Sequence, residues 1–188
     1  MEDLEIIDKV NGGEKEFYRK LIERYHLKVM GFCCRMTSDY IAAEDITQEI
    51  FIKAYKSLGG FKKESSFSTW LYRIAYNHCI SFLQNVSKRK TESLDTLLEK
   101  NSKKVFAVFN SSDDFTKKLE NLDLVNKILS LLPKDYRSVL VLRETQGLSY
   151  QEIAQILNCS LDAVKAKLRR ARIMLEEKMR HFLSKNQV

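Results

Sequence analysis

The side chains with the most definite chemistry lie near the C-terminus, where cations repeat along one side of a predicted helix. A helical wheel places Leu161, Val164 and Leu168 on one apolar stripe, which we predict to be core, with small and basic residues opposite. Arginine can form a fork of hydrogen bonds to guanine, and lysine can reach phosphates. We predict that this face contacts duplex DNA; a basic face on an ordinary helix bundle is the alternative. The predicted contacts are Ser160, Asp162, Ala163, Lys165, Ala166, Lys167, Arg169 and Arg170.

A second group, between residues 61 and 81, mixes aromatic rings, cations and small polar side chains. This mixture suits unstacked single-stranded bases, which stack on rings and form hydrogen bonds through their exposed edges. Four of the apolar residues, Phe67, Trp70, Leu71 and Ile74, are better explained as core. The predicted contacts with single-stranded DNA are Phe61, Lys62, Lys63, Ser65, Ser66, Arg73, Asn77 and Ser81.

A third group lies on one polar face of a predicted helix, where Asp45, Gln48 and Glu49 surround the apolar Ile52. A branched apolar side chain with a polar rim resembles a small protein-contact patch. A lone exposed isoleucine is equally common, so the wheel alone leaves both interpretations open. The opposite face should be buried, and it consists of Thr47, Ile50, Phe51, Ala54 and Leu58.

The elements that must position the C-terminal cations are two short helices and a turn. Ser149 and Glu152 have the spacing of a capping box, in which each side chain bonds the backbone N–H of the other. Three residues, Asn158 to Ser160, separate this helix from the basic one, and Ser160 can cap the latter. These lengths are typical of a helix-turn-helix, whose second helix enters the major groove.

Nearly every periodic stretch of the chain has helical spacing, so we predict an all-α fold of two small domains. Predicted helices cover residues 14–36, 40–58 and about 66–86, and Gly59-Gly60 ends the second of them. Further predicted helices cover residues 115–131, which end before Pro133, and residues 135–145, which end before Gly147. The two helices of the helix-turn-helix follow. Residues 89–114 are rich in Lys, Ser, Asn and Asp, and we predict a flexible linker there. The domains are then 1–88 and 115–188.

Composition and charge narrow the class of protein. The 188 residues include only 6 Gly and 1 Pro, which argues against collagen-like, disordered and all-β proteins. The net charge of +7 is uneven. Residues 1–52 carry −4, 53–90 carry +7, 91–160 carry −1 and 161–188 carry +5. Two basic blocks imply two surfaces for a polyanion, although solvated helix faces could also account for them.

Several other functions are not indicated. No Ser/His/Asp set, metal-binding spacing or phosphate-binding loop occurs in the sequence, and the three His residues are scattered, so we expect no enzyme, metal or cofactor. The four Cys lack a CxxC spacing, so buried thiols are expected. No apolar run approaches the ~20 residues of a membrane span. The acidic start, Met1 to Lys9, does not resemble a secretory signal, so we expect a cytoplasmic protein without membrane insertion.

Two ordered sets of motifs resemble one known family. Asp45-x-x-Gln48-Glu49-x-Phe51 and Ser66-Phe67-x-Thr69-Trp70-Leu71-Tyr72-Arg73-Ile74-Ala75-x-Asn77 are similar to the second region of bacterial sigma factors. Leu132-Pro133-x-x-Tyr136-Arg137, Gly147-Leu148-Ser149-Tyr150-x-Glu152-Ile153-Ala154 and Val164-Lys165-x-Lys167-Leu168-x-Arg170-Ala171-Arg172 are similar to the fourth. Two such regions without those between them resemble the extracytoplasmic-function (ECF) group of the sigma-70 family.

The resemblance implies a specificity subunit of bacterial RNA polymerase, which directs the enzyme to promoters and helps open the DNA. The face that contains Asp45, Gln48, Glu49 and Ile52 would dock on the clamp helices of the largest polymerase subunit. The loop and helix from Phe61 would capture bases of the minus-ten element, and the last helix would contact the minus-thirty-five element. The helix around residues 132–143 would hold the flap of the second-largest subunit, and the linker would thread toward the active-site cleft and RNA exit channel. An anti-sigma factor would hold the protein inactive.

A free-standing helix-turn-helix regulator is the alternative function. It accounts for the C-terminal motif but leaves the Asp45/Gln48/Glu49 face and the aromatic-basic loop without a role. An enzyme with a DNA-binding tail is a third class, and the sequence offers no catalytic residues for it. Transcription with core polymerase separates the three.

Overall fold

The computed structural model describes residues 1–92 and 124–185, which we call the N-terminal part and the C-terminal part. Most of the predicted linker and residues 115–123 of the next predicted helix lie outside the described residues. The N-terminal part contains α1 (Asp3–Asn11), a 3₁₀ turn (Lys15–Phe17), α2 (Tyr18–Thr37), α3 (Tyr40–Ser57), a second 3₁₀ turn (Leu58–Gly60) and α4 (Phe67–Glu92). The C-terminal part contains α5 (124–130), α6 (Lys134–Leu140), a π-helical turn (Val141–Thr145), α7 (Tyr150–Leu157) and α8 (Leu161–Lys185). No strand occurs in either part, which confirms the all-α prediction.

In the N-terminal part, α2, α3 and α4 pack together, and polar caps fix where two of them begin. The Asp39 carboxylate accepts a hydrogen bond from the Ala42 N–H at 3.0 Å, and the Ser66 hydroxyl accepts one from the Thr69 N–H at 3.1 Å. Between them, the 3₁₀ turn that ends at Gly60 terminates α3, as the glycine pair predicts. Helix α4 runs to Glu92, past the predicted end near residue 86.

In the C-terminal part, the predicted helix-turn-helix is present. Ser149 and Glu152 form the capping box: the Glu152 N–H donates to the Ser149 hydroxyl at 3.2 Å, and the Ser149 N–H donates to the Glu152 carboxylate at 2.8 Å. Asn158 takes the left-handed conformation (φ 49°) that ends α7, and the Ser160 hydroxyl accepts from the Ala163 N–H at 3.2 Å. The connection therefore has the length and caps that the sequence predicts.

The apolar stripe of α8 differs from the wheel at one end. Val164, Leu168 and Ala171 are buried, but Leu161 is 37% exposed, so its assignment to the core was wrong. Leu161 lies in the first turn of α8, where it borders an open surface depression beside Tyr150. In the first turn of a helix the neighbouring helices need not extend far enough to cover every side chain. A residue on the apolar stripe can therefore remain exposed to water there.

The two parts pack against each other. Helix α4 contacts α7, and α2 contacts α6 and the π-helical turn, so that the buried residues of both parts form one continuous apolar cluster. No helix in the described ranges combines the length and apolar character needed to cross a membrane.

Candidate functional site

The basic face of α8 lies on the outside of the C-terminal part. All eight predicted contacts are exposed except Ala163 and Lys167, which are half-buried. Lys165 forms an ion pair with Asp162 at 3.2 Å, and Lys167 forms one with Asp135 at 3.6 Å. Among residues 1–92 and 124–185, no carboxylate pairs with the two arginines of this face. Their guanidinium groups are therefore available to bases or phosphates.

The loop before α4 encloses a cavity of about 260 Å³. It is lined by Gly60, Phe61, Lys62, Glu64, Ser65, Trp70 and Arg73. Phe61 is only 8% exposed, because its ring packs on Trp70 at 5.3 Å and on Phe67. Its predicted contact with DNA is thus restricted to the part of the ring that faces the cavity. A concave site with an aromatic wall, two cations and one carboxylate fits an unstacked base, whose ring can stack and whose edge can form hydrogen bonds.

Two other predicted contacts of this loop already have partners within the protein. Lys63 has a left-handed backbone (φ 59°), and its ammonium pairs with Asp8 of α1 at 2.6 Å. The Ser66 hydroxyl caps α4 and also bonds the hydroxyls of Ser68 and Thr69, at 2.9 and 2.8 Å. Ser66 therefore has a structural function in the free protein.

Three predicted contacts continue along α4. Arg73, Asn77 and Ser81 are four residues apart and exposed, which puts them on one side of the helix. Because the cavity also includes Arg73, the loop and this side of α4 form a single continuous surface.

The polar face of α3 is also exposed. Asp45, Gln48 and Glu49 lie in solvent, and Ile52 between them is 55% exposed. The Glu49 carboxylate lies 3.6 Å from Nδ1 of His78 on α4. Burial lowers the pKa of His78, and Lys53 adds to this effect, while Glu49 opposes it.

Sequence reasoning missed the surroundings of Ile52. The side chain is part of an apolar groove of about 480 Å³ between α2 and α3, which Tyr18, Ile22, Phe51 and Tyr55 also line. Lys15, Glu16 and Arg19 form its charged rim. Tyr18 and Ile22 are four residues apart on α2, and this spacing was the available signal. The groove favours the interpretation of Ile52 as a contact patch over that of an isolated exposed residue.

Arg137 was expected in the flap-holding helix, and the structure buries it, with 8% of its surface exposed. Its guanidinium donates to the carbonyl oxygens of Met36 at 2.5 Å, Ser130 at 2.8 Å and Leu132 at 3.3 Å. Burial lowers the pKa of Arg137. The guanidinium thus joins α2 of the N-terminal part to the turn before α6.

The cysteines are packing residues. Cys33 and Cys79 are buried with their Sγ atoms 3.8 Å apart, while Cys34 and Cys159 are half-buried. Within the described ranges, no group of three His, Cys, Asp or Glu side chains is arranged to hold a metal ion.

Comparison with protein families gives two matches in chain order. Residues 21–89 match the family described as Sigma-70 region 2, and residues 122–175 match the one described as Sigma-70, region 4. The first match covers α2 to α4, including the loop cavity, and the second covers α6 and the helix-turn-helix.

Similar proteins match over nearly the whole chain. The RNA polymerase sigma-H factor of Pseudomonas aeruginosa is 33% identical, over 97% of this chain and 96% of that protein. The ECF RNA polymerase sigma-E factor of Haemophilus influenzae is 34% identical, over 96% of this chain and 97% of that protein. The corresponding factor of Escherichia coli K12 is 32% identical, over 96% of each.

Two solved structures share the fold. CnrH in complex with the cytosolic domain of CnrY is 21% identical with a TM-score of 0.70, over 94% of this chain and 96% of that one. The sigma factor RpoE of Bartonella quintana, in complex with the anti-sigma factor NepR, is 24% identical with a TM-score of 0.67, over 87% and 96%.

Proposed function

This chain belongs to the sigma-70 family of bacterial RNA polymerase sigma factors, in its ECF group. From that premise we propose which of its surfaces bind promoter DNA and which bind polymerase. It is a sigma factor: it binds core RNA polymerase, directs it to specific promoters and helps open the DNA. It works in the cytoplasm, where core polymerase and promoters are found, without a cofactor or metal and without catalysing a reaction itself.

The loop cavity and the exposed side of α4 bind the non-template strand of the minus-ten element. The observation that carries this assignment is the cavity of about 260 Å³ between Phe61, Lys62, Ser65 and Arg73, which can receive a base that has left the duplex. Asn77 and Ser81 extend the polar surface along α4, where they can bond the following nucleotides.

The exposed face of α8 binds the minus-thirty-five element as duplex. The small residues Ala163 and Ala166 let the helix approach the groove floor, while Arg169 and Arg170 supply long donors one turn further along the same face. Asp162 is held by Lys165 at 3.2 Å, which reduces its repulsion of nearby phosphates.

The face around Ile52 docks on the clamp helices of the largest polymerase subunit, and the adjacent groove enlarges the apolar contact. The helix from residue 134 onward holds the flap of the second-largest subunit. We expect an anti-sigma factor to inhibit this chain. Of two proteins with this fold, one was solved with the anti-sigma factor NepR and the other with the cytosolic domain of CnrY.

Reconstituted transcription tests the assignment. Purified chain added to core polymerase should produce transcripts from the promoters that it recognises. The chain alone should bind duplex promoter DNA weakly, because its two small DNA-binding surfaces bind cooperatively only when polymerase fixes their spacing. Nanomolar, sequence-specific binding by the chain alone, with no response of core polymerase, would instead support a free-standing regulator.

Docking is tested on α3 by replacing Gln48 or Glu49 with Ala, or Ile52 with Lys. Each variant should bind core polymerase more weakly and fold normally, because these side chains are exposed. Glu44→Ala is the matched control, since Glu44 is exposed on the same helix but outside the proposed face. Equal affinity in all four proteins would exclude this face from docking.

A further inference from the structure

Two of the four cysteines meet in the core of the N-terminal part. Cys33 of α2 and Cys79 of α4 are 46 residues apart in the chain, and their Sγ atoms lie 3.8 Å apart. Both side chains are fully buried. Two thiols in contact can be joined by one covalent bond, provided that an oxidant removes two electrons. The fold therefore creates a dithiol that the spacing of the cysteines along the chain does not indicate.

The two thiols of this pair differ in acidity. The Cys79 thiol donates a hydrogen bond to Cys33 Sγ, and this bond lowers the pKa of Cys33; burial opposes it, and the Thr47 hydroxyl adds to it. The same hydrogen bond, together with burial, raises the pKa of Cys79. Because the thiolate is the nucleophile in thiol chemistry, we expect Cys33 to react first and Cys79 second.

The other two cysteines are poorer partners for this reaction. Cys34 follows Cys33 directly, and adjacent side chains point about 100° apart around a helix, so Cys34 points in a different direction from Cys33. Burial also raises the pKa of Cys34 to about 11. Cys159 is half-buried in the turn of the helix-turn-helix. These two positions therefore provide controls.

Cys79 lies beneath the surface that is proposed to bind the minus-ten single strand. Asn77 and Ser81 are two residues to either side of it, and both are exposed on the opposite side of α4. The two sulfur atoms must come closer to bond, since a disulfide is about 2.0 Å long. In a close-packed core this movement also shifts the helices that carry them. A bond between Cys33 and Cys79 would therefore displace the side chains that contact the strand.

We propose that Cys33 and Cys79 are a reversible modification site, which hydrogen peroxide oxidises to a disulfide that joins α2 to α4 and weakens binding of the minus-ten strand. The effect on DNA rests on the proposed function, whereas formation of the bond does not. Hydrogen peroxide is small enough to reach buried thiols during local opening of the fold. In a protein that works in the cytoplasm, such a bond is typically transient and redox-sensing.

The reaction consumes one molecule of peroxide in two steps. The Cys33 thiolate attacks one peroxide oxygen, so that an S–O bond forms, the O–O bond breaks and hydroxide leaves; the product is a sulfenic acid. Cys79 gives its proton to that hydroxide, and its thiolate attacks the Cys33 sulfur, so that the S–S bond forms and the S–O bond breaks. The second hydroxide takes up the proton that Cys33 released earlier. The sulfurs lose two electrons, and the peroxide becomes two molecules of water.

The test uses full-length chains in which the pair is kept or broken. Cys34→Ala with Cys159→Ala leaves only the pair and is the reference protein. Adding Cys33→Ala or Cys79→Ala gives two matched controls with one thiol each, and circular dichroism verifies that all keep their helices. Each folded protein is treated with hydrogen peroxide, and the remaining thiols are counted with a maleimide.

A second measurement needs no substitution. Trypsin cuts the unmodified chain after Lys28, Arg35, Arg73 and Lys88, so a bonded pair would join residues 29–35 to residues 74–88. Mass spectrometry of the oxidised chain detects this joined peptide. A dithiol such as dithiothreitol should separate it again by thiol–disulfide exchange.

We expect the reference protein to lose both thiols with peroxide and to recover both with dithiothreitol. Holoenzyme made with the oxidised protein should bind a fluorescent minus-ten single strand about fivefold more weakly, which corresponds to the loss of about one hydrogen bond. Reduction should restore this affinity. The control with Cys33→Ala keeps only the less acidic thiol, and its holoenzyme should bind the strand equally before and after peroxide.

The absence of the bond in the folded reference protein, or its formation only after unfolding in urea, would overturn the proposal. A bond that left strand binding unchanged would also overturn it, because oxidation would then have no effect on the proposed surface. If holoenzyme made with the reduced, unmodified chain failed to bind the strand, the proposed function would be refuted instead. The peptide measurement would still decide whether the bond forms.

Discussion

The surface proposed for the minus-ten element is concave, and the surface proposed for the minus-thirty-five element is convex. A loop with a left-handed residue, Lys63, and an aromatic wall from Phe61 enclose the first, whereas one side of a single long helix, α8, forms the second. An unstacked base needs a cavity that surrounds it, and a duplex groove needs a rigid rod that enters it. The two proposed surfaces thus differ in shape as the two states of DNA require, with a loop beside α4 forming one and one side of α8 forming the other.

The largest expected effect concerns how α8 is held. Leu168→Ala should lower the free energy of unfolding of the C-terminal part by about 2–5 kcal/mol, because the side chain is almost fully buried. Leu161→Ala should cost much less, although both residues lie on one stripe of the wheel, since Leu161 is 37% exposed. Urea unfolding followed by circular dichroism measures both. Equal losses would contradict the burial difference.

The next effect separates the two surfaces proposed to bind DNA. Arg170→Ala should reduce discrimination at one base pair of the minus-thirty-five element by about 1–3 kcal/mol, with little loss of stability, because Arg170 is exposed on α8. Asn77→Ala should leave the closed promoter complex nearly normal and impair strand opening.

Footprinting of the upstream element reports the first change, and permanganate reactivity of thymines in the bubble reports the second. A lost upstream footprint in Asn77→Ala with a normal bubble, or the reverse in Arg170→Ala, would break the division between the concave and convex surfaces.

A smaller effect comes from the capping box of α7, which orients the turn before α8. Ser149→Ala should cost about 1 kcal/mol of stability. Burial raises the pKa of Glu152, but hydrogen bonds from the Ser149 backbone, the Ser149 hydroxyl and the Thr69 hydroxyl together hold it below its usual value.

Because the pKa of Glu152 is lower in the folded protein than in the unfolded chain, its ionised carboxylate stabilises the fold above the unfolded pKa of about 4.3. This stabilisation is lost as the pH falls through the folded pKa. The stability difference between the unmodified chain and Glu152→Gln should therefore shrink below about pH 4. A difference that grew with acidity in urea titrations would contradict these hydrogen bonds.

The smallest effect concerns the ion pair that restrains the concave surface. Asp8→Ala frees Lys63 and should change stability by no more than about 1 kcal/mol, because both side chains are largely exposed. The freed ammonium should modestly strengthen binding of a minus-ten single strand by holoenzyme, most clearly at low salt. Fluorescence anisotropy at two salt concentrations measures it, with Asn11→Ala as an exposed α1 control.

The sequence by itself determined the elements of this protein and the direction in which most side chains point. The spacing of Ile50, Phe51 and Ala54 predicts the buried side of α3, and the structure buries all three. Ser149, Glu152 and Ser160 predict the ends of the helix-turn-helix, because caps act over three or four residues and need no distant partner.

Only the tertiary structure decided which elements meet. A wheel gives the angle of a side chain around its own helix, but it does not show where the neighbouring helix ends, and so it placed Leu161 in the core. It could not show that Tyr18 and Ile22 surround Ile52, or that Arg137 bonds the Met36 carbonyl 101 residues away. Such contacts depend on how helices pack against one another, and that packing is set by the shape of the whole core.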